Sequence, residues 1–325
     1  MKGNVWVKAA RRAPLGAALI SALVIVAVAT TLAAALAFDT GLEIRRSEGL
    51  RARANAEAWT AGAEALAASA LVEQLSVPSE SLHTAQRWAA PLGPVPVTAE
   101  GALRAQLIDL QGRFNLNSLV DANGRVDPSA LRVFERLLVV LGLEAEWAPR
   151  VADWIDADTV PLEGGAEDAV YLGQTPAYRP PNLPVTSPSE LLALVGFGSA
   201  RYALLAPHVS ALPRDASINL CTASGPLLDA LAEERQWTQA PEALIAARER
   251  GCFPGREVFR NTLGDAARFA ELDRAVGLAE TSRHFRLVTD IRVGTVDFTL
   301  YSLLRVETAP GVPARVRLMT RSTRE

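Results

Sequence analysis

The hydrophobic pattern divides the chain into a long helical stretch, a mixed middle and an alternating end. From Ala13 to Phe38 no side chain is charged, and apolar residues cover every helical face. As a helix, Ala17–Phe38 is about 33 Å long, enough to cross a hydrocarbon core. The helical composition then continues. Asp39 to Leu75 contains no proline and is rich in Ala, Arg, Glu and Leu, all good helix formers. Leu42, Leu50, Ala54, Ala58, Ala61, Ala65 and Leu66 fall near one stripe. Arg45, Arg46, Glu48, Arg51, Arg53 and Glu57 take much of the remaining surface. The pattern predicts one helix over Ala17–Leu75, about 88 Å long, ending before Pro78. Gly41, Gly49 and Gly62 are its candidate bending points.

Pro91 to Pro96 reads as a turn-rich joint. Leu103 to Leu110 alternates as a strand, and Gln111 to Ser118 reads as its exit. Helical spacing follows at Leu131–Leu143 and Trp147–Ile155, and again at Asp229–Trp237 and Pro241–Arg250. Ser189 to Val209 reads as two short helices around Gly196-Phe197-Gly198. The period then changes to two. His284–Val293, Val296–Thr308 and Ala314–Arg321 read as strands joined by tight turns at Gly294 and Pro310-Gly311. A lone strand cannot stay unpaired. Leu103–Leu110 therefore pairs with the C-terminal meander, giving a four-stranded antiparallel sheet on the long helix. The fold class is α+β, with the middle as a large, mostly helical insertion. Gly112–Ser118 and Ala216–Thr222 share a hydrophobic-Asn-Leu core, read either as an internal repeat or as coincidence between two turn-plus-helix starts.

Charge changes the picture at the N-terminus. Lys2, Lys8, Arg11 and Arg12 precede the apolar run, and the positive-inside rule keeps them cytoplasmic. The remainder then lies across the membrane. Three readings stay open at this point. One is a secretory signal peptide cut after Ala35-Leu36-Ala37, although the apolar run exceeds the usual ~7–15 residues of such a core. The second is an uncleaved signal anchor. The third is a pilin-type leader cut on the cytoplasmic side after Gly16, leaving Ala17 first. Elsewhere the net charge of −3 argues against electrostatic nucleic-acid binding. Cys221 and Cys252 are the two cysteines. In an extracytoplasmic body a disulfide between them is permitted; the alternative is two free thiols.

One stretch carries candidate chemistry. Asp153-Trp-Ile-Asp156-Ala-Asp158, with Glu163, Glu167 and Asp168, places six carboxylates where no Lys or Arg occurs between Val151 and Tyr178. Calcium takes six to eight oxygens in a flexible cage, and Asp-x-Asp spacing with glycine turns folds carboxylates onto one ion. Asp156, Asp158, Glu163, Glu167 and Asp168 are the candidate ligands, with Asp153 assigned to capping or pairing. The loop does not follow the EF-hand pattern, and a solvated acidic surface loop is the alternative. A glycosidase-like carboxylate pair lacks any sign of a sugar cleft. Leu194–Leu205 resembles a helix-hairpin-helix, but its flanks pit Arg201 and Arg214 against Glu190 and Asp215, too little positive charge for phosphate.

Taken in order, several motifs resemble the protein K family of minor pseudopilins in type II secretion systems. They are the basic leader ending at Gly16, Leu110-Gln-Gly-Arg-Phe-Asn-Leu-Asn117, Asp153-Trp-Ile-Asp156 and Gly164-Gly-Ala-Glu-Asp168. Tyr178-Arg, Pro188-Ser-Glu-Leu and Ile218-Asn-Leu-Cys-Thr-Ala-Ser224 continue the set. The resemblance implies a pilin-like long N-terminal helix packed on a small antiparallel sheet, with the helical insertion. It divides the chain into a leader (1–16), a membrane or bundle segment (17–38) and a pilin-like helix and first strand (39–118). The insertion (119–280) and the C-terminal strands (281–325) follow. It further implies cleavage after Gly16 by the prepilin peptidase, methylation of Ala17 and calcium at the acidic loop. The implied partners are minor pseudopilins I and J, the pseudopilus and the inner-membrane assembly platform, at the pseudopilus tip. Most pilin-type subunits carry Glu at the fifth mature position. Here that position is Ser21, an absence typical of the K proteins. The expected function is a non-enzymatic tip subunit in the inner membrane with a periplasmic body. The alternative is a soluble periplasmic binding or DNA-handling protein.

Overall fold

A computed structural model describes residues 15–75, 81–98, 101–309 and 312–323. Helix α1 (Leu15–Leu75) is continuous over 61 residues, close to the predicted span. The leader's first fourteen residues and the Pro310-Gly311 turn lie outside the described residues. The chain forms two compact units that divide within α1, after Glu57.

The first unit is described as the α1 segment up to Glu57. From Ala18 to Phe38 its apolar side chains face outward all round, with Leu23 62% and Leu36 68% exposed. The helix is long and apolar enough to cross a membrane. Its hydroxyls make no demand on lipid, because Thr30 and Thr31 donate to the carbonyls of Ala27 and Val28.

The second unit opens with the end of α1 and then alternates short elements. These are β1 (Leu92–Thr98), β2 (Gly101–Asp109), β3 (Phe114–Asn115), α2 (Pro128–Val140), α3 (Trp147–Ile155), α4 (Asp168–Leu172) and α5 (Gly198–Leu205). Then come β4 (Val209–Ser210), β5 (Ile218–Asn219), α6 (Gly225–Ala232), α7 (Pro241–Arg248), α8 (Arg256–Leu263), α9 (Ala266–Val276) and β6 (Leu278–Ala279). The chain closes with β7 (His284–Val293), β8 (Val296–Ala309) and β9 (Val312–Ser322).

The sheet has five strands, ordered β1-β2-β7-β8-β9, all antiparallel. Four are the predicted ones. The fifth, β1, occupies the stretch that reads as a joint. Pro94 and Pro96 account for the difference, since proline is excluded from central strands but tolerated at an edge, and β1 is an edge. Strand β2 alternates strictly, burying Leu103, Ala105 and Leu107. Gly101 sits so close to α1 that a Cβ would meet the Trp59 ring at 2.6 Å. The buried stripe of α1 in this unit is Thr60, Ala63, Ala67 and Leu71. The predicted stripe is wrong here: Ala58, Ala61, Ala65 and Leu66 are exposed. An alanine-rich helix is mildly apolar on several faces, so its pattern does not fix which face turns inward. Glu64 clamps the far side of the sheet, accepting from Ser302 and bidentately from Arg321 at 3.0 and 2.7 Å.

Residues 110–283 leave the sheet after β2 and return at β7. They build a separate core around Phe114, Phe134, Leu137, Trp147, Tyr171 and Phe197. Asp127 starts α2 by accepting from the Ser129 and Ala130 amides, with Pro128 at the first helical position. The predicted 229–237 helix is displaced to α6, at 225–232. Ser224 caps its start, Glu233 ends it in the left-handed region, and Asp229 accepts from the Trp237 amide instead of continuing the helix. Cys221 and Cys252 are bonded within this region.

The shared Asn-Leu core corresponds to one geometry used twice. Asn115 and Asn219 each end a two-stranded parallel ladder, β3–β4 and β5–β6. Each side-chain oxygen accepts from the amide two residues ahead, Asn117 and Cys221. Each side-chain amide then reaches a distant carbonyl, Pro213 and Leu82 respectively. Asn219 also joins a buried knot where the insertion meets the sheet. There Asp109 accepts from Ser282 and Thr222, both at 2.6 Å, from Asn219 at 3.0 Å and from the Gln111 amide at 2.8 Å.

Candidate metal centre

The acidic loop is positioned by two helices. The last turn of α3 carries Asp153 and, at its end, Asp156 three residues on, hence on one face. Glu167 stands immediately before α4. Their carboxylate oxygens converge, one from each lying within 4.8 Å of the others. All three residues are buried, at 0%, 2% and 4% exposure.

Asp153 folds the loop. Its oxygens accept from the Leu162 amide, both at 3.2 Å, and from Ala166 at 2.7 Å. Gly165 permits that approach: a Cβ there would lie 1.9 Å from Asp153 Oδ2. Asp156 Oδ1 and both Glu167 oxygens have no donor, and neither does the buried Asn182 Oδ1. The Asn182 amide ties the neighbouring loop to the carbonyl of Asp158.

The electrostatics follow from this crowding. Burial first, then the charges of Asp158, Asp153 and Glu167, push Asp156 up to about 7. Burial and then Asp153 raise Glu167, with the Asn182 side chain opposing. Burial also raises Asp153, partly offset by the Leu162 and Ala166 amides. Three buried carboxylates, two of them with oxygens that meet no donor, resist ionisation together. The donor set is all oxygen, partly fixed in position and short of positive charge, which fits a hard cation such as calcium.

Of the five predicted ligands, the structure brings Asp156 and Glu167 together. Asp158 is exposed and accepts from the Val160 amide. Glu163 is exposed, and Asp168 faces Arg179 at 3.6 Å. Asp153, assigned to capping or pairing, pairs with the Leu162 and Ala166 amides and also joins the cluster. Its spacing from Asp156 on a helix is the sequence signal for that second role. In the hairpin around Gly196 and Gly198, Arg201 is held bidentately by Glu144 at 2.9 and 2.8 Å. Arg214 donates to the carbonyl of Val120. Both cations that a phosphate would need are engaged.

The pattern of the family described as "Type II secretion system (T2SS), protein K" matches residues 112–214. Type II secretion system protein K of Pseudomonas aeruginosa is 36% identical, over 96% of this chain and 93% of that protein. This chain belongs to the type II secretion system protein K family. The Pectobacterium carotovorum protein K is 33% identical, over 90% of this chain and 92% of that protein. A chain of the crystal structure of the GspK–GspI–GspJ complex from enterotoxigenic Escherichia coli superposes with a TM-score of 0.73. It is 27% identical, and the match covers 86% of this chain and 99% of that one. The protein K fold thus accounts for the long helix, the antiparallel sheet and the helical insertion, and the protein is a minor pseudopilin of type II secretion. The soluble, DNA-handling alternative finds no support.

Proposed function

We propose that this protein K caps the pseudopilus tip together with minor pseudopilins I and J, and so supports export of folded proteins. The apolar part of α1 holds the subunit in the inner membrane before assembly and in a helical bundle afterwards. The prepilin peptidase cuts after Gly16, and Ala17 is then methylated. Ser21 fits a terminal position, because a subunit with none ahead of it has no neighbouring amine for a buried Glu to pair with. The broad insertion hinders addition above it. The reading is structural rather than catalytic.

The observation that carries it is a single helix whose first part is apolar on every face and exposed while its last part is built into a folded body. Assembly with I and J draws support from the GspK–GspI–GspJ complex. The deciding measurement is the intact mass of the mature chain. A chain beginning at Ala17 supports the reading; one beginning at Phe38 leaves no anchor and ends it.

Calcium at Asp153, Asp156 and Glu167 belongs to the same proposal. The ion would supply the positive charge that these oxygens lack and lock the loop between α3 and α4. Disulfide formation between Cys221 and Cys252 fits a periplasmic body.

A further inference from the structure

The two edges of the sheet differ in what they offer a partner. β1 carries Pro94 and Pro96, which have no N–H, and its pairing with β2 is interrupted by two register shifts. Such an edge is a poor template for another strand. β9 closes the sheet on the opposite side. After Pro313 every residue from Ala314 to Met319 keeps its N–H, and the side chains are exposed or half-buried.

Charge distinguishes this edge further. Arg305 stands opposite Arg317, and Glu307 opposite Arg315, all on the face away from buried Leu304 and Val306. Like charges directly opposite repel. Glu307 reaches Arg317 at 3.8 Å, while Arg305 and Arg315 form no ion pair among the described residues. On β7 the residue opposite Arg305 is His284, an imidazole that brings no carboxylate to it. Three arginines with one carboxylate thus crowd one corner of a chain whose net charge is −3. Beside them, Leu318 and Met319 are 41% and 42% exposed.

We propose that β9 is the docking edge for a partner pseudopilin, which lays an extended, carboxylate-bearing segment alongside it. Backbone pairing would meet the unpaired N–H and C=O groups of the edge. Carboxylates would fork onto Arg305, Arg315 and Arg317. Apolar residues in alternation would cover Leu318. This rests on the assembly reading above and deepens it by naming the edge and the chemistry.

The test uses the full-length chain co-expressed with pseudopilins I and J of its own secretion system. A photoreactive residue replaces Met319 in β9 or, in a separate control strain, Val97 in β1. The expected adduct forms from position 319, to an acidic extended segment of I or J, and not from position 97. Arg315→Glu combined with Arg317→Glu should cut co-purification of I and J by about tenfold or more, while the thermal midpoint of the isolated chain moves only slightly, because the charges that change partners are exposed. If I and J never co-purify with the unaltered chain, the assembly reading and this edge both fall. If they do co-purify, the edge alone is overturned by any of three results: adducts from position 97, adducts only to a second copy of this chain, or full co-purification after charge reversal.

Discussion

Removing calcium should make stability fall as pH rises, and Asp156 sets the size of the effect. Its folded pKa is about 7 against an ordinary value of 3.8. Below the ordinary value both folded and unfolded chains hold the proton, and nothing is lost. Between the two values the unfolded chain releases the proton while the ion-free folded chain keeps it. Stability therefore declines through this window and levels off above about pH 7. A shift of about 3 pH units sets a ceiling of about 4 kcal/mol. The effective dielectric of a protein site, well above that of a dry interior, reduces the expectation to about 2 kcal/mol. For a folded body of this size that corresponds to a midpoint drop of about 4–8 °C. The assay is thermal unfolding of the chelated, ion-free protein at about pH 5 and about pH 7.5, repeated with excess calcium. Calcium should restore the midpoint mainly at the higher pH, where the carboxylates are the better ligands. Asp156→Asn should raise the ion-free midpoint at about pH 7.5 and abolish the calcium response. An ion-free midpoint that rises across this window, or an Asn variant that still responds to calcium, refutes the reasoning.

Other expectations follow from single contacts. Glu64→Gln weakens the bidentate pair with Arg321 and the bond from Ser302, and should cost about 1.5–3 kcal/mol in urea unfolding. Replacing both cysteines by serine opens a loop with a sequence separation of 31, and should cost about 3–4 kcal/mol in the same measurement. Asn219→Ala leaves a carboxylate, a backbone carbonyl and a hydroxyl short of a donor at the buried knot. It should cost about 2–4 kcal/mol and raise amide exchange in the strands on either side.

Much of the frame is legible in the sequence because its signals are local. The α1 helix, β2 and the β7–β8–β9 meander follow from composition and period, and His284–Val293 is found at its predicted ends. The errors share one cause: the deciding partner lies outside the element whose pattern is read. The phase of α1 is set by the sheet, not by its own alanines. β1 is a strand because β2 is there to pair with it, despite two prolines. Asp229 ends α6 early because its carboxylate finds the amides of Trp237 and Thr238. At the acidic loop, residue type points to the stretch where carboxylates converge, but which of them turn inward depends on how the loop folds over Asp153. Glu163 and Asp168 are carboxylates in the same stretch as Glu167, and the backbone turns them elsewhere.

The buried carboxylates of this protein give two answers to one problem, and the contrast bears on calcium. Asp109 is buried, and burial raises its pKa against four opposing hydrogen bonds. Its oxygens take donors from Ser282, Thr222, Asn219 and the Gln111 amide, so the chain itself meets the charge. This knot needs nothing from solution, and it fixes the insertion to the sheet. Asp156 and Glu167 are buried too, but have three oxygens with no donor. The same chain can place four donors on a carboxylate where the role is structural. Their lack at the acidic loop, beside four further carboxylates in the same stretch, is the contrast that the calcium proposal explains. If the ion-free protein proves indifferent to calcium, the contrast between these two sites loses its explanation, and the loop reverts to an acidic surface whose burial has no function.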